Sequence, residues 1–417
     1  CSLLQHLCSR IQQRAGICPA PRSALRSAPS CCRDQSPAAS SQGAGMDAPN
    51  NYSDFFEGTE KLLEVWFSRR DGKEENCDLR KISRSTWESL LKLVKCEIIS
   101  FKKNETLDSY VLSESSMFVS KRCFILKTCG STTLLNAVKP LLFLVQELTG
   151  FDEVLDIFYS RKNFMRPELQ DKPHTSFEDE VEVLDELFDD GAAYCMGRIN
   201  HDCWYLYTLN TPMGYRGIQV PDQTLEISFL DFCLGKLSQC LLERAEALDL
   251  LCMPLVPLTP PPHVIMQNLD QDIMRIFTQE ASANAKEATQ KSGIDRLYPG
   301  AVLDDFLFSP CGYSVNGIFK GGHYFTIHIT PEPHCSYVSF ETNAPQDNYH
   351  ELVTALLKMF LPGKFVMTLF ANKLSVAAKG MKENCNTEFR SYSRKELQVC
   401  RFNSYDLTYA LFAKAPS

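Results

Sequence analysis

In the stretch Tyr110-Val111-Leu112-Ser113-Glu114-Ser115-Ser116-Met117-Phe118-Val119-Ser120, a carboxylate followed by two hydroxyls sits between apolar runs rich in strand formers. A serine directly after Glu114 carries its hydroxyl where it can attack the carbonyl of the preceding peptide. Ordinary serine is a weak nucleophile, so the reaction requires a strained turn and a nearby proton carrier. An edge strand with exposed serines is the plain alternative, since such tripeptides are common. An imidazole titrates near neutrality, and a thiol, with an ordinary pKa of about 8.5, is mostly protonated at pH 7 and can donate; taken alone, His328 and Cys129 each read as core residues. The acids Glu64, Asp222, Glu226 and Glu341 read, on sequence alone, as solvated surface charges.

The elements that must position these residues follow from periodicity and caps. Residues 62–67 show an apolar face at helical spacing and predict a helix. Ser85-Thr86-Trp87-Glu88 reads as a capping box opening a helix through Val94. Residues 132–148 form a helical run that Pro140 should kink or split. An acidic amphipathic helix is predicted over 176–188, and another helix over 348–360. Strand signals cover 116–126, 193–209, 312–343, 364–371 and 397–413. Hairpin-like strands with interspersed helices predict an α+β fold of antiparallel sheets.

The chain of 417 residues is 44% apolar and 23% charged, as globular proteins are. Its net charge of −8 disfavours a nucleic-acid partner. No apolar stretch is long enough to span a bilayer, so no membrane association is expected. Five of the eighteen cysteines, Cys1, Cys8, Cys18, Cys31 and Cys32, fall in the N-terminal segment. No paired Cys-x-x-Cys spacing with His ligands signals a metal, and most of the remaining thiols read as buried and reduced in the cytosol. Residues 1–50, Arg-rich and acid-poor, read as a disordered or non-native extension, with Met46 as the natural start.

Read over a longer span, the run from Tyr110 continues through Lys127-Thr128-Cys129-Gly130 and closely resembles the eukaryotic, animal-type S-adenosylmethionine decarboxylases, which are pyruvoyl-dependent proenzymes. Blocks such as Phe55-Phe56-Glu57-Gly58-Thr59-Glu60, Phe158-Tyr159-Ser160-Arg161-Lys162-Asn163-Phe164 and Thr326-Ile327-His328-Ile329-Thr330-Pro331-Glu332-Pro333 match in order. The resemblance runs from about residue 55 to 412 within a single domain, 51–417. It breaks between Glu226 and Asn268, where residues of about 229–264 read as a disordered, peripheral insertion, either a surface loop or, better suited to its unrelated apolar sequence and proline cluster, a retained intron. The implied fold is a four-layer αββα sandwich of two antiparallel sheets with helices on the outer faces.

The resemblance also implies the chemistry. Ser115 attacks the Glu114 carbonyl, and elimination leaves a pyruvoyl group made from Ser115. A β chain then ends at Glu114 and an α chain begins at 115. His328 matches the base, Ser314 its hydrogen-bonding helper, and Cys129 the donor that reprotonates the substrate after carbon dioxide is lost from an imine. Glu57 and Glu60 fall among the catalytic positions. Phe56, Phe308, Glu114 and Glu332 match positions that bind S-adenosylmethionine. Glu64, Lys127, Phe158, Asp222, Thr224, Glu226, Glu341, Phe370 and Tyr405 match a site for putrescine, a diamine activator. The implied assembly is a cytosolic homodimer of αβ units supplying the aminopropyl donor for spermidine and spermine. A catalytically silent homologue that regulates an active partner is the rival reading, and retention of Ser115, Cys129, Ser314 and His328 argues against it.

Overall fold

Alternation with a period of two decides which side chains meet. In the computed structural model, residues 56–209, 221–230, 269–333, 335–379 and 388–415 are described. The first sheet contains β1 (Lys61–Ser68), β2 (Ile98–Lys103), β3 (Leu107–Leu112), β4 (Ser115–Ser120), β5 (Cys123–Thr128), β6 (Glu153–Lys162), β7 (Gly191–Gly197) and β8 (Cys203–Leu209). The second contains β9 (Gln223–Leu230), β10 (Val302–Leu307), β11 (Tyr313–Ile318), β12 (Tyr324–Thr330), β13 (Tyr337–Thr342), β14 (Lys364–Asn372), β15 (Tyr392–Arg401) and β16 (Tyr405–Lys414).

The spatial orders are β2-β3-β4-β5-β1-β6-β8-β7 and β10-β11-β12-β13-β9-β14-β16-β15. Adding eight to each number of the first gives the second. All pairings within these sheets are antiparallel. The two halves are therefore copies of one topology, a repetition that the sequence does not display.

The faces turned away from the other sheet carry the apolar residues. Leu225, Ile227 and Phe229 of β9 form one core with Leu352, Leu356 and Phe360 of the helix His350–Phe360. Trp87 of the helix Arg84–Lys92 stacks on Phe124 of β5 at 5.3 Å. The faces turned toward each other are apolar at two places. Leu62, Phe118 and Ile125 meet Ile318 and Tyr324. Leu155, Phe158 and Trp204 meet Val366, Leu407 and Tyr409. The αββα sandwich expected from sequence is the observed architecture.

Local expectations fared unevenly. Residues 62–67 are strand β1, not helix. Both faces of β1 are covered, so its apolar run is nearly continuous and loses its alternation. The N-cap of the first helix is Ser83, whose side chain accepts from the Thr86 N–H, two residues earlier than predicted. Pro140 does mark a split. A 3₁₀ turn, Leu134–Ala137, leads into the α-helix Val138–Thr149, and Pro140 lies in its first turn, where a missing N–H breaks no helical bond. Strand β9 runs to Leu230, so Phe229 and Leu230 belong to the sheet rather than to the insertion. The extension 1–50 and the rest of the insertion lie outside the described residues.

One ion-pair cluster ties the sheets together at an edge. Asp202 binds Lys162 of β6 at 2.9 Å and Lys364 of β14 at 2.6 Å. Burial works to raise the Asp202 pKa, but the two ammonium groups outweigh it and hold the carboxyl at about 2. A carboxylate with a depressed folded-state pKa contributes stability above its unfolded value and loses it as pH falls through the folded one. The expected cost of Asp202→Asn is about 2–3 kcal/mol at pH 7. In urea unfolding the gap between variant and wild type should narrow as pH falls from about 4 toward 2. A gap independent of pH would show that the pair contributes through packing alone.

Candidate functional site

Strands β3 and β4 form a tight hairpin with Leu112 opposite Ser115 and only Ser113 and Glu114 in the turn. Ser115 adopts φ 124°, a region that residues bearing a Cβ rarely occupy. Strain of this kind costs about 1–3 kcal/mol and persists only where its surroundings enforce it. The Ser115 hydroxyl donates to Glu60 Oε1 at 2.7 Å. The Glu114 carbonyl accepts from the Cys129 N–H at 3.1 Å, and the Cys129 thiol lies 3.5 Å from the same oxygen. A hydroxyl, its carboxylate acceptor and a donor on the carbonyl oxygen thus meet at one peptide bond.

Gly130, with φ +61°, makes the turn after Cys129 possible, and a Cβ there would press on the Phe56 ring and the Glu114 carboxylate. Glu57 holds this turn in place. Its carbonyl accepts from the Gly130 N–H at 2.9 Å, and its carboxylate accepts from the N–H groups of Thr59, Met165 and Arg166. Glu57 thus binds the backbone around this turn, while Glu60 touches Ser115 directly.

The second sheet contributes the imidazole. Ser314 and Asn316 on β11 and Thr326 and His328 on β12 all face the seam between the sheets. His328 Nδ1 is 2.8 Å from the Ser314 hydroxyl. Its Nε2 lies 2.8 Å from Thr326 Oγ1 and 3.1 Å from Ser116 Oγ. Glu60 Oε1 stands 3.9 Å away and links the imidazole to Ser115. Burial pushes the His328 pKa down to about 4, so the ring is neutral at physiological pH and able to accept a proton. Asn316 accepts from Ser116 and Thr326 and donates to the Tyr110 carbonyl, locking the network onto β3.

The acids expected to cluster do so. Lys127 is buried, with Nζ 2.8 Å from Glu341, 3.1 Å from Glu226 and 3.4 Å from Glu60. Burial alone would depress its pKa, yet Glu341, Glu60 and Glu226 hold it well above the usual range. The Glu60 pKa is also raised by burial, but Lys127 and His328 reverse this and keep it low.

Further along the seam no cation among the described residues pairs with the acids. Burial and the neighbouring Asp222 drive the Glu64 pKa well up, and Asp222 itself rises to about 6 through burial. Tyr405 donates to Asp222 at 2.9 Å. The rings of Phe158, Phe370 and Tyr405 gather beside it, with centroids 4.8–5.1 Å apart. Thr224 lies opposite Phe370 in the β9–β14 register.

At the other end, Phe56 and Phe308 are half-buried and make no ring contact with each other among the described residues. Buried Glu332 Oε2 has no hydrogen-bond partner among the described residues. Sequence reasoning missed Ser116, Asn316, Thr326, Asp156 and Lys61. Asn316 and Thr326 stand two residues from Ser314 and His328, so the strand period could have found them. Asp156, raised to about 7 by burial, joins the carboxylates around Asp222, but within an apolar strand it gives no local signal.

Two sheets of one topology, joined across a polar seam with a strained serine hairpin at its mouth, define an αββα sandwich with a built reaction site. The chain belongs to the adenosylmethionine decarboxylase family, whose model matches residues 53–249 and 262–413. Among curated proteins, an S-adenosylmethionine decarboxylase proenzyme of Xenopus laevis is 46% identical, over 88% of this chain and 98% of its own. The proenzyme of Drosophila melanogaster is 45% identical, over 87% and 96%. That of Saccharomyces cerevisiae is 32% identical, over 88% and 95%. Among solved structures, a Trypanosoma brucei AdoMetDC-delta26 monomer matches with a TM-score of 0.50 at 23% identity, over 72% of this chain and 99% of its own, a likeness of fold.

Proposed function

We propose that the chain cuts itself between Glu114 and Ser115, turns Ser115 into a pyruvoyl group, and decarboxylates S-adenosylmethionine in the cytosol to supply the aminopropyl donor of spermidine and spermine. The observation that carries this is Ser115 at φ 124°, with its hydroxyl on ionised Glu60 and the adjoining carbonyl on the Cys129 N–H. Glu60 receives the hydroxyl proton. The Cys129 N–H meets the charge that develops on the Glu114 carbonyl oxygen. Neutral His328, fixed by Ser314, takes up the Ser115 Cα proton. Ser115 is enclosed by residues that suit the group made from it. A pyruvoyl group acts as an electron sink for loss of carbon dioxide. Burial, with Glu114 and Glu60 nearby, drives the Cys129 pKa well up, so its thiol stays protonated and can return a proton. Intact mass of the purified protein tests the reading. Two chains, with a pyruvoyl group heading the larger one, and release of labelled carbon dioxide from carboxyl-labelled S-adenosylmethionine are expected. A single uncut chain would reject it. Among the described residues no helix is long and apolar enough to cross a membrane.

The acids around Asp222 support putrescine as an activator. Several carboxylates buried without a cation are costly, and a diammonium ligand relieves them. Lys127 touches Glu226 and Glu341 on one side and Glu60 on the other, so occupancy of the acidic end bears on the acceptor of the Ser115 proton. Glu226→Gln with Glu341→Gln should abolish stimulation in a putrescine titration of activity. Equal stimulation in wild type and the double variant would reject the site.

A further inference from the structure

Lys61 opens β1, is fully buried, and forms no ion pair among the described residues. Its ammonium donates only to neutral acceptors, the Gly130 carbonyl at 3.1 Å and Gln170 Oε1 at 3.2 Å, and lies 5.1 Å from the centre of the Phe164 ring. An unpaired buried cation is expensive to keep. The acids nearest it are already engaged. Glu180 is bound by Arg161, Tyr159 and His174, and Glu57 by three backbone N–H groups. The other titratable groups within its field are Cys96, Cys129 and Glu114, of which Cys129 and Glu114 stand at the hairpin mouth.

We infer that Lys61 is a positioning residue for the elimination step of self-processing, the counter-charge that receives the α-carboxylate of Glu114 as it leaves Ser115. The inference rests on the self-processing reading and deepens it. In the acyl shift, Ser115 Oγ bonds to the Glu114 carbonyl carbon, that carbon's bond to the Ser115 nitrogen breaks, and the hydroxyl proton ends on the freed amine. No net charge forms. In the elimination, a base takes the Ser115 Cα proton, the electron pair forms a Cα=Cβ bond, and the Cβ–Oγ bond breaks. Glu114 departs with both oxygens as a carboxylate, so the anion is created at the second step alone. It appears next to Cys129, whose following residue, Gly130, is the one that Lys61 holds.

The test follows Lys61→Met and Lys61→Arg by intact mass with and without hydroxylamine, which cleaves esters. Lys61→Met should accumulate a full-length ester that hydroxylamine splits into a Glu114 hydroxamate and a chain beginning with unmodified Ser115. Its elimination should be roughly tenfold slower than in wild type, as for loss of one charge-assisted contact. Lys61→Arg should proceed to the pyruvoyl chain. Burial lowers the Lys61 pKa to about 8, so elimination in wild type should slow above that pH while the Arg variant keeps its rate. Lys61→Met forming the pyruvoyl chain at the wild-type rate would overturn the inference. So would an uncut, hydroxylamine-resistant Lys61→Met beside a normal Lys61→Arg, or a wild-type profile flat across pH 8. A wild-type chain that remains uncut would instead remove the parent reading.

Discussion

Ser115→Ala should yield one full-length chain with no decarboxylation. The variant keeps the hairpin and the Cys129 N–H on the Glu114 carbonyl, but no oxygen remains to attack it. Loss of the donor to Glu60 leaves that carboxylate paired with Lys127, so the seam stays closed. Alanine retains the Cβ at φ 124°, and the strain therefore persists. Ser115→Gly separates strain from chemistry. It should also remain uncut, yet unfold later than Ser115→Ala by about 1–2 kcal/mol, because glycine occupies this region without penalty. Intact mass and urea unfolding of the two variants read both effects. Two chains from either variant would reject Ser115 as the nucleophile.

Lys127→Met should be the most damaging single change in the seam. It removes the cation that meets three carboxylates in a layer where Lys127 is only 1% exposed. Breaking a buried ion pair by deleting one partner costs about 3–5 kcal/mol, because the remaining charges are stranded. The stranded carboxylates in the variant acquire raised pKa values, so the penalty is present above those values and fades as they protonate. Thermal unfolding of Lys127→Met should therefore approach that of wild type as pH falls from 8 toward 5. Glu60 loses the neighbour that keeps it ionised and becomes a poorer acceptor for the Ser115 proton. Cleavage should slow most at the pH where Glu60 is protonated. A midpoint equal to wild type at pH 7.5, with cleavage undiminished, would show that Lys127 is dispensable.

Much of the seam was legible in the sequence because its chemistry lies in short unbroken blocks. Ser115, Cys129, Ser314 and His328 each stand inside such a block, and the structure brings all four to the joint of the sheets. Phe158, Phe370 and Tyr405 lie far apart in the chain, and only the family pattern linked them before their rings were seen together. What stayed hidden has physical causes. Strand β1 is covered on both faces, so its pattern mimics a buried helix. Lys61 is a charged residue at a strand start, where surface exposure is the ordinary expectation, and only the fold shows that it is buried. The shared strand order lies in the topology and not in the side chains, since one half carries the hydroxyl and the other the imidazole.

Strand β1 lies in the middle of the first sheet, between β5 and β6, although it comes first in the chain. Opening the peptide after Glu114 leaves β1, β2 and β3 on the short fragment and β5 and β6 on the long one. The short fragment is thus laced through its companion by hydrogen bonds on both edges of β1, and it cannot slip away without tearing the sheet in two. In the proposed scission the hairpin would still hold its ends in place, since β3 and β4 pair with each other. Folding as one polymer would set β1 between β5 and β6 before the peptide opens, and the opened molecule would keep a shape inherited from the uncut chain.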